Sequence, residues 1–287
     1  MKKGYIVWLT GLPCSGKTTI AKALEERLDG HYCDNVLLDG DSLRFDGKPI
    51  TGITGFSPEE RKQHLLRVAS IANYEAEVNG NIVICSFVSP SEEVRQEIKD
   101  MLRYMYVVHV DCPEAECMDR DVKGMWAKAK AGEIKGFTGY DAEYQIPEDP
   151  DVVVATDVFS VDECVDKIVN MLNEKHRRDV FFGRWQAPEG IHDGHKALIN
   201  TSLKAGKPVT IFIREMIAEK NKNPYDAYDI EGKIVEAFKN EDVEVVVGPN
   251  LNAVCYGRGV GYEVKEIKLG EEVESISATK LRAEEKK

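Results

Sequence analysis

The chain has 287 residues, 43% hydrophobic and 31% charged, a balance that excludes a largely disordered chain and a multi-pass membrane protein. Its 38 Lys+Arg against 50 Asp+Glu give a formal net charge of −12. That acidity argues against charge-driven nucleic-acid binding but not against a small anionic ligand held in one local positive pocket.

The first apolar run, Tyr5–Leu9, follows Met1-Lys2-Lys3 and leads straight into a glycine-rich loop. It is too short for a secretory signal and reads as a buried strand. Further strands are predicted at Asn35–Leu38, Asn81–Phe87, Met105–Val110 and Val152–Ala155. Helices are predicted over Lys17–Leu28, Pro58–Val78, Ser91–Leu102, Pro113–Ala131 and Val161–Asn173. This alternation predicts an α/β fold, a parallel sheet with helices on both faces. A charged stretch at Glu174-Lys-His-Arg-Arg-Asp179 then interrupts the pattern. The alternation restarts with strands at Val180–Gly183, Val209–Ile213, Val243–Val247 and Val264–Ile267 and helices at His195–Lys204 and Tyr228–Asn240. The expected organisation is therefore two domains, 1–176 and 177–287, the second a smaller Rossmann-like α/β unit. The seven cysteines are scattered, with no Cys-x-x-Cys spacing. They read as reduced thiols of a cytoplasmic protein, and no apolar stretch approaches the roughly 20 residues that span a membrane.

Between the first strand and the first helix stands Gly11-Leu-Pro-Cys-Ser-Gly16-Lys17-Thr18, a G-x-x-x-x-G-K-[ST] loop in the context that gives it meaning. Gly11, Cys14, Ser15, Gly16 and Thr19 place backbone groups around ATP phosphates, with the positive end of the helix behind them. Lys17 reaches the β- and γ-phosphates, and Thr18 offers a hydroxyl to Mg²⁺. Leu38-Asp39-Gly40-Asp41 puts two acids at the carboxyl end of the second strand, where open α/β sheets bind ligands. An acid there accepts a hydroxyl proton or organises Mg²⁺, or the pair is a solvated Asp-Gly turn. Ser57, Pro58 and Glu60 are helix-start grammar, a cap, a first-turn proline and a capping box. Phe56 before them either staples that helix or stacks on a ligand ring.

These motifs, with Gly55-Phe-Ser57 and Arg61, Arg120-Asp-Val-Lys-Gly124, Ala131-Gly-Glu-Ile-Lys-Gly-Phe-Thr-Gly139, Pro147-Glu-Asp-Pro150 and Val152-Val-Val-Ala-Thr156, resemble the adenylylsulfate (APS) kinase family over nearly all of residues 1–175. The resemblance implies transfer of a phosphoryl group from MgATP to the 3′-hydroxyl of APS, giving PAPS. It implies that Asp41 is the base or metal organiser, with Thr18 as its partner at the metal. Asp39, Arg44 and Arg61 then serve the acceptor, Phe56 and Phe137 sandwich its adenine, Lys123 belongs to a lid, and Arg120 lies beside the nucleotide. The sequence departs from the family at His64, where the family usually has Asn, at Leu66, and after Val88-Ser-Pro90, where an arginine is missing. His64 leaves open a P-loop kinase acting on another hydroxyl compound.

In the second half, His192-Asp-Gly-His195 follows a strand and opens a helix. Two imidazoles there grip phosphate oxygens and stabilise charge on phosphorus. Alternatively, His195 is a helix cap and His192 a loop residue. With Gly183-Arg-Trp-Gln186 and with Ser277, Thr279 and Arg282 at a second phosphate, the region resembles the nucleotidylyltransferase superfamily. Five residues separate Gln186 from His192, more than the usual form. The unit is much shorter than ATP sulfurylase, so its substrate stays open, as does a non-catalytic nucleotide-binding or regulatory role. The expected partners are ATP and APS, with no nucleic acid and no membrane, and a homo-oligomer is left open.

Overall fold

Strand β1 (Tyr5–Thr10) sends Ile6 and Trp8 to one face of a sheet and Val7 and Leu9 to the other, and all four are buried. A strand covered on both faces belongs to the centre of a parallel α/β sheet. The computed structural model describes residues 4–29, 34–45, 52–53, 55–102, 104–183, 185–188, 190–215, 224–251, 265 and 267–268, with the side chains of 41, 44 and 45 outside that description. The chain divides into two compact units, Met1–Asn173 and Glu174–Lys287.

In the first unit β1 leads to α1 (Lys17–Leu28), β2 (Asn35–Asp39), α2 (Gly40–Phe45), α3 (Pro58–Glu77), β3 (Ile82–Ser86), α4 (Glu92–Met101) and β4 (Met105–Asp111). Then come α5 (Glu114–Arg120), α6 (Met125–Lys130), β5 (Val152–Ala155) and α7 (Val161–Lys175). The five strands are parallel in the order β2-β3-β1-β4-β5. The order reverses direction about β1, so a crevice opens at its carboxyl end, where such sheets bind ligands. On one face α3 and α4 pack Leu65, Val68, Ala69 and Ile98 against Trp8, Val83 and Val107. On the other, α1 and α7 pack Ile20, Leu24, Val165 and Ile168 against Val7, Ile84 and Val110. Each large side chain so buried stabilises the unit by roughly 1.5–3 kcal/mol before entropy is set against it. Helix α3 starts where its grammar predicts, since Ser57 accepts from the Glu60 amide and Glu60 returns a bond to the Ser57 amide.

Two expectations are corrected. The helix predicted over Pro113–Ala131 is two helices, because Gly124 is left-handed (φ 65°) and Asp121 accepts from the amides of Trp126 and Ala127, starting a new helix after the turn. The Asp-Gly stretch is no simple turn, because α2 begins at Gly40 directly from β2.

The second unit contains β6 (Asp179–Gly183), α8 (Asp193–Lys204), β7 (Val209–Arg214), α9 (Ala227–Ala237) and β8 (Val243–Gly248). Its three described strands are parallel in the order β6-β7-β8, around a core that includes Phe181, Trp185, Ile199, Ile211 and Ile234. Of the strand predicted at Val264–Ile267, only positions 265 and 267 are described, and Ser277, Thr279 and Arg282 lie outside the described residues. Among the described residues no helix is long and apolar enough to cross a membrane.

Candidate active site

The loop after β1 is shaped first by close approach. A Cβ on Gly11 would stand 2.4 Å from the Val110 carbonyl oxygen, so only glycine lets the loop lie against the end of β4. Cys14 and Gly16 are both left-handed, at φ 67° and 96°. Gly16 is costless there, and Cys14 carries strain of order 1 kcal/mol, the kind that collects at functional loops. Gly16 is also the N-cap of α1 and supplies no side chain to it, which leaves the first-turn amides to an anion. The Lys17 ammonium folds back across the loop and donates to the Leu12 carbonyl at 2.6 Å.

The Thr18 hydroxyl donates to Asp39 Oδ2 at 2.8 Å, and Asp39 is buried at the tip of β2. A hydroxyl oxygen and a carboxylate side by side next to the phosphate loop are hard oxygen donors and fit Mg²⁺, bound directly or through water. The acid that the structure places beside Thr18 is thus Asp39. The side chains of Asp41 and Arg44, both on α2, lie outside the described residues.

On the other flank, Thr156 after β5 donates to the Ser15 carbonyl at 2.7 Å, bracing the loop from behind. Arg120 donates to the Thr156 hydroxyl at 3.1 Å and to its carbonyl at 2.9 Å, while its Nε bonds Glu116 at 3.0 Å. Arg120, expected beside the nucleotide, is therefore also a strut for the loop. Above the loop, the Trp126 indole donates to the Pro13 carbonyl at 3.3 Å and meets Phe137 edge-on at 5.1 Å between centroids. Gly139 fits beneath this pair, where a Cβ would come within 2.8 Å of both Leu12 and Trp126. Lys123 is exposed on the turn between α5 and α6.

Arg61 ties two regions together. Its Nε donates to the Phe56 carbonyl at 2.8 Å, and its two Nη groups donate to the Thr138 hydroxyl and the Gly136 carbonyl, each at 2.5 Å. Amides of Gly136 and Phe137 converge on Asp141, and these bonds hold its carboxyl below the usual range. The expected aromatic pair is unequal, since Phe56 is 50% exposed whereas Phe137 is 8% exposed and packed on Trp126. His64 is 2% exposed and lies edge-on to Phe87 at 5.9 Å, inside the α3 layer.

In the second unit, His192 is the N-cap of α8, and its Nδ1 accepts from the His195 amide at 3.3 Å. The two imidazoles stack at 3.7 Å with 19° between planes, and His195 meets Trp185 edge-on at 4.7 Å. The alternative with His195 as cap is reversed, since His192 caps and His195 sits in the first turn. Burial, reinforced by His192, pushes the His195 pKa down to about 4, and burial also lowers that of His192. Gln186 spans to Tyr225, donating to its carbonyl and accepting from its amide at 3.1 Å each.

The model of the adenylylsulphate kinase family matches residues 3–155. The chain belongs to that family. The probable adenylyl-sulfate kinase of Synechocystis sp. is 43% identical over 167 residues, 58% of this chain and 92% of the relative. The adenylyl-sulfate kinase of Picosynechococcus sp. is 40% identical over 172 residues, 60% of this chain and 95% of the relative. An APS kinase of Mycobacterium tuberculosis, solved in complex with AMPPNP and APS, superposes with a TM-score of 0.56 at 35% identity, over 60% of this chain and 99% of its own. The family match ends inside the first unit, so His192 and His195 lie beyond it.

Three contributors were missed in the sequence: Thr156 behind the loop, Trp126 above it, and Arg95. Arg95 is buried and bonds Glu92 and the carbonyls of Ser89 and Gln145, anchoring the segment that follows Gly139. A threonine closing a strand and a tryptophan two residues past Gly124 were the available signals. Only their neighbours in space reveal what they hold.

Proposed function

We propose that residues 1–176 form an adenylylsulfate kinase that transfers the γ-phosphoryl group of ATP to the 3′-hydroxyl of APS, giving ADP and PAPS. The observation that carries this reading is the Thr18–Asp39 pair beside a Lys17-bearing phosphate loop, facing a region where Arg61 binds the backbone next to both Phe56 and Phe137. In the transfer, the acceptor's 3′-oxygen bonds to the γ-phosphorus as the bond to the β–γ bridging oxygen breaks. The hydroxyl proton passes to a carboxylate, for which Asp41 is the assigned acceptor. Lys17 leaves the Leu12 carbonyl for the phosphates. Thr18 and Asp39, with Asp41, would hold Mg²⁺, which would offset the charge of the β- and γ-oxygens. Phe56 stacks on the acceptor's adenine, Phe137 forms the far wall, and Arg61 with Arg44 serves its anionic end. Lys123 adds charge from the lid, and Arg120 sets the nucleotide side through Thr156. Another hydroxyl acceptor was suggested by His64, and its burial against Phe87 favours a packing role for that residue instead. The setting is cytoplasmic, in keeping with free thiols at Cys14, Cys85, Cys112, Cys117 and Cys164.

Residues 177–287 form a nucleotidylyltransferase-like unit in this reading. Its support is a stacked, neutral imidazole pair at the N-terminus of α8, where phosphate oxygens are attracted. Ser277, Thr279 and Arg282 are assigned to a second phosphate. One coupled assay tests both halves: ATP with APS, scored for PAPS, then ATP with sulfate or other acceptors, scored for pyrophosphate. No PAPS from folded protein refutes the kinase. No pyrophosphate with retained nucleotide binding makes the second unit a binding module.

A further inference from the structure

Between the C-terminal end of β4 and the segment 139–146 lies a cavity of about 550 Å³, a size that suits a small organic molecule. At its floor is His109, 6% exposed and lying along Tyr144 at 6.1 Å with 21° between planes. The His109 ring makes no hydrogen bond among the described residues, and its nitrogens are not among the polar atoms sealed from solvent. So placed, they take a partner from water or from a ligand in the cavity. Burial keeps this imidazole neutral near pH 7, so one of its nitrogens is a ready acceptor.

The charge around the mouth has one sign. Asp111, Glu114, Asp141 and Glu143 line the cavity and are all exposed; Asp141 is engaged by the Gly136 and Phe137 amides, and none of the other three forms an ion pair among the described residues. No lysine or arginine lines it. Arg95, 5.8 Å behind the Tyr144 ring, is already committed to Glu92 and to two backbone carbonyls. ATP and APS are polyanions, and the four carboxylates of the lining repel them, which argues against a subsite for either. A bare metal ion does not suit it either, because no group of three or more metal-ligating side chains is poised among the described residues. What remains is an extended cation with an apolar body, and the walls offer tyrosine rings and Ile146 to receive one.

We propose that this cavity is a binding site for a small organic ammonium ion, its charge at the Asp111, Glu114 and Glu143 carboxylates, one N–H on His109, and its apolar body against Tyr144 and Ile146. The cavity adjoins the phosphate loop at Leu12 and the Phe137 segment at Gly139, but the proposal does not depend on the kinase reading.

The test uses the full chain without nucleotide, at fixed ionic strength, followed by the NMR signals of the His109 imidazole and the Tyr144 ring. The probes are phenethylammonium, its neutral counterpart 2-phenylethanol, and the anion 3-phenylpropanoate. The expected result is a saturable 1:1 shift of both signals with phenethylammonium, at an affinity about tenfold above that for the alcohol. The anion is expected to give no saturable shift. A Glu114→Gln, Glu143→Gln double variant, altered only at exposed positions, should lose that tenfold preference. Equal binding of ammonium and alcohol, saturable binding of the anion, an unchanged preference in the double variant, or ammonium binding that leaves the His109 signal in place would each overturn the proposal.

Discussion

The Lys17 ammonium lies 2.6 Å from the Leu12 carbonyl, a neutral partner that a phosphate outcompetes by charge. Its removal should cost less in folding than in transfer, because its hydrogen bonds to the Leu12 carbonyl and, at 3.5 Å, to the Ser15 hydroxyl are of about 1 kcal/mol each. It should cost much in transfer, because it is the cation inside the loop. Lys17→Ala is expected to lower turnover by roughly 10²-fold or more with a thermal melt close to that of the parent, and near-parental turnover would remove the phosphate-loop assignment. His195 gives a prediction of another kind. Its folded pKa of about 4 lies below the ordinary 6.5, so the unfolded chain binds the proton more readily. The stability linked to it is therefore fully present above about pH 6.5 and is lost as pH falls toward 4. Melts of the second unit between pH 7 and 4 should show this loss, and a His195→Gln variant should show a flatter dependence. An identical slope in both would place the effect elsewhere.

At the scale of elements, α5, α6 and the Phe137 segment, where the lid is expected, share a small core with the phosphate loop. Cys112, Cys117, Trp126, Ala129 and Phe137 cluster with Leu12 and Cys14 of the phosphate loop. An edge-on aromatic pair adds about 0.5–1.5 kcal/mol beyond its buried area, so Phe137 has both a packing role and a proposed stacking role. Phe137→Ala confuses them by opening a cavity, whereas Phe137→Leu keeps most of the volume and removes the ring. The expected result for Phe137→Leu is a rise of about fivefold or more in the KM for APS, with the KM for ATP changed much less. Equal changes would assign Phe137 to the lid core alone. Most of these elements were legible from the sequence, because strands buried on both faces read as continuous apolar runs and α3 announces itself by Ser57, Pro58 and Glu60. What was not legible depended on tertiary neighbours. Asp121 and Gly124 divide a run whose periodicity looks like one helix. Asp39, expected to serve the acceptor, has the Thr18 hydroxyl 2.8 Å away, a neighbour that no spacing in the sequence reveals. Phe137, expected to sandwich an adenine with Phe56, also packs edge-on against Trp126, a contact between residues eleven apart that the sequence does not announce.

For the whole molecule, each unit has its own sheet and its own core. Residues 1–176 are accordingly expected to fold and to retain the kinase turnover of the full chain within about twofold, as is proper for domains with separate cores. His192→Ala in the full chain should leave that turnover unchanged. A folded fragment without activity would show that the units share a functional interface. The second unit was less readable than the first. Its histidine motif is four residues long, the roles of cap and first-turn residue could be assigned either way, and Ser277, Thr279 and Arg282, expected at the second phosphate, lie outside the described residues.

The Thr18–Asp39 hydrogen bond also decides which form of nucleotide the loop can welcome. A hydroxyl has a single hydrogen, and here Asp39 takes it. The Thr18 oxygen therefore has only lone pairs left to offer, beside the buried Asp39 carboxyl. A naked polyphosphate meets repulsion at that corner even while Lys17 attracts it from across the loop. A nucleotide that arrives with a cation already on its terminal oxygens meets attraction at both places. On the proposed kinase reading, this corner favours a nucleotide that already carries a cation on its terminal oxygens, and the side-chain orientation that does so is set on folding.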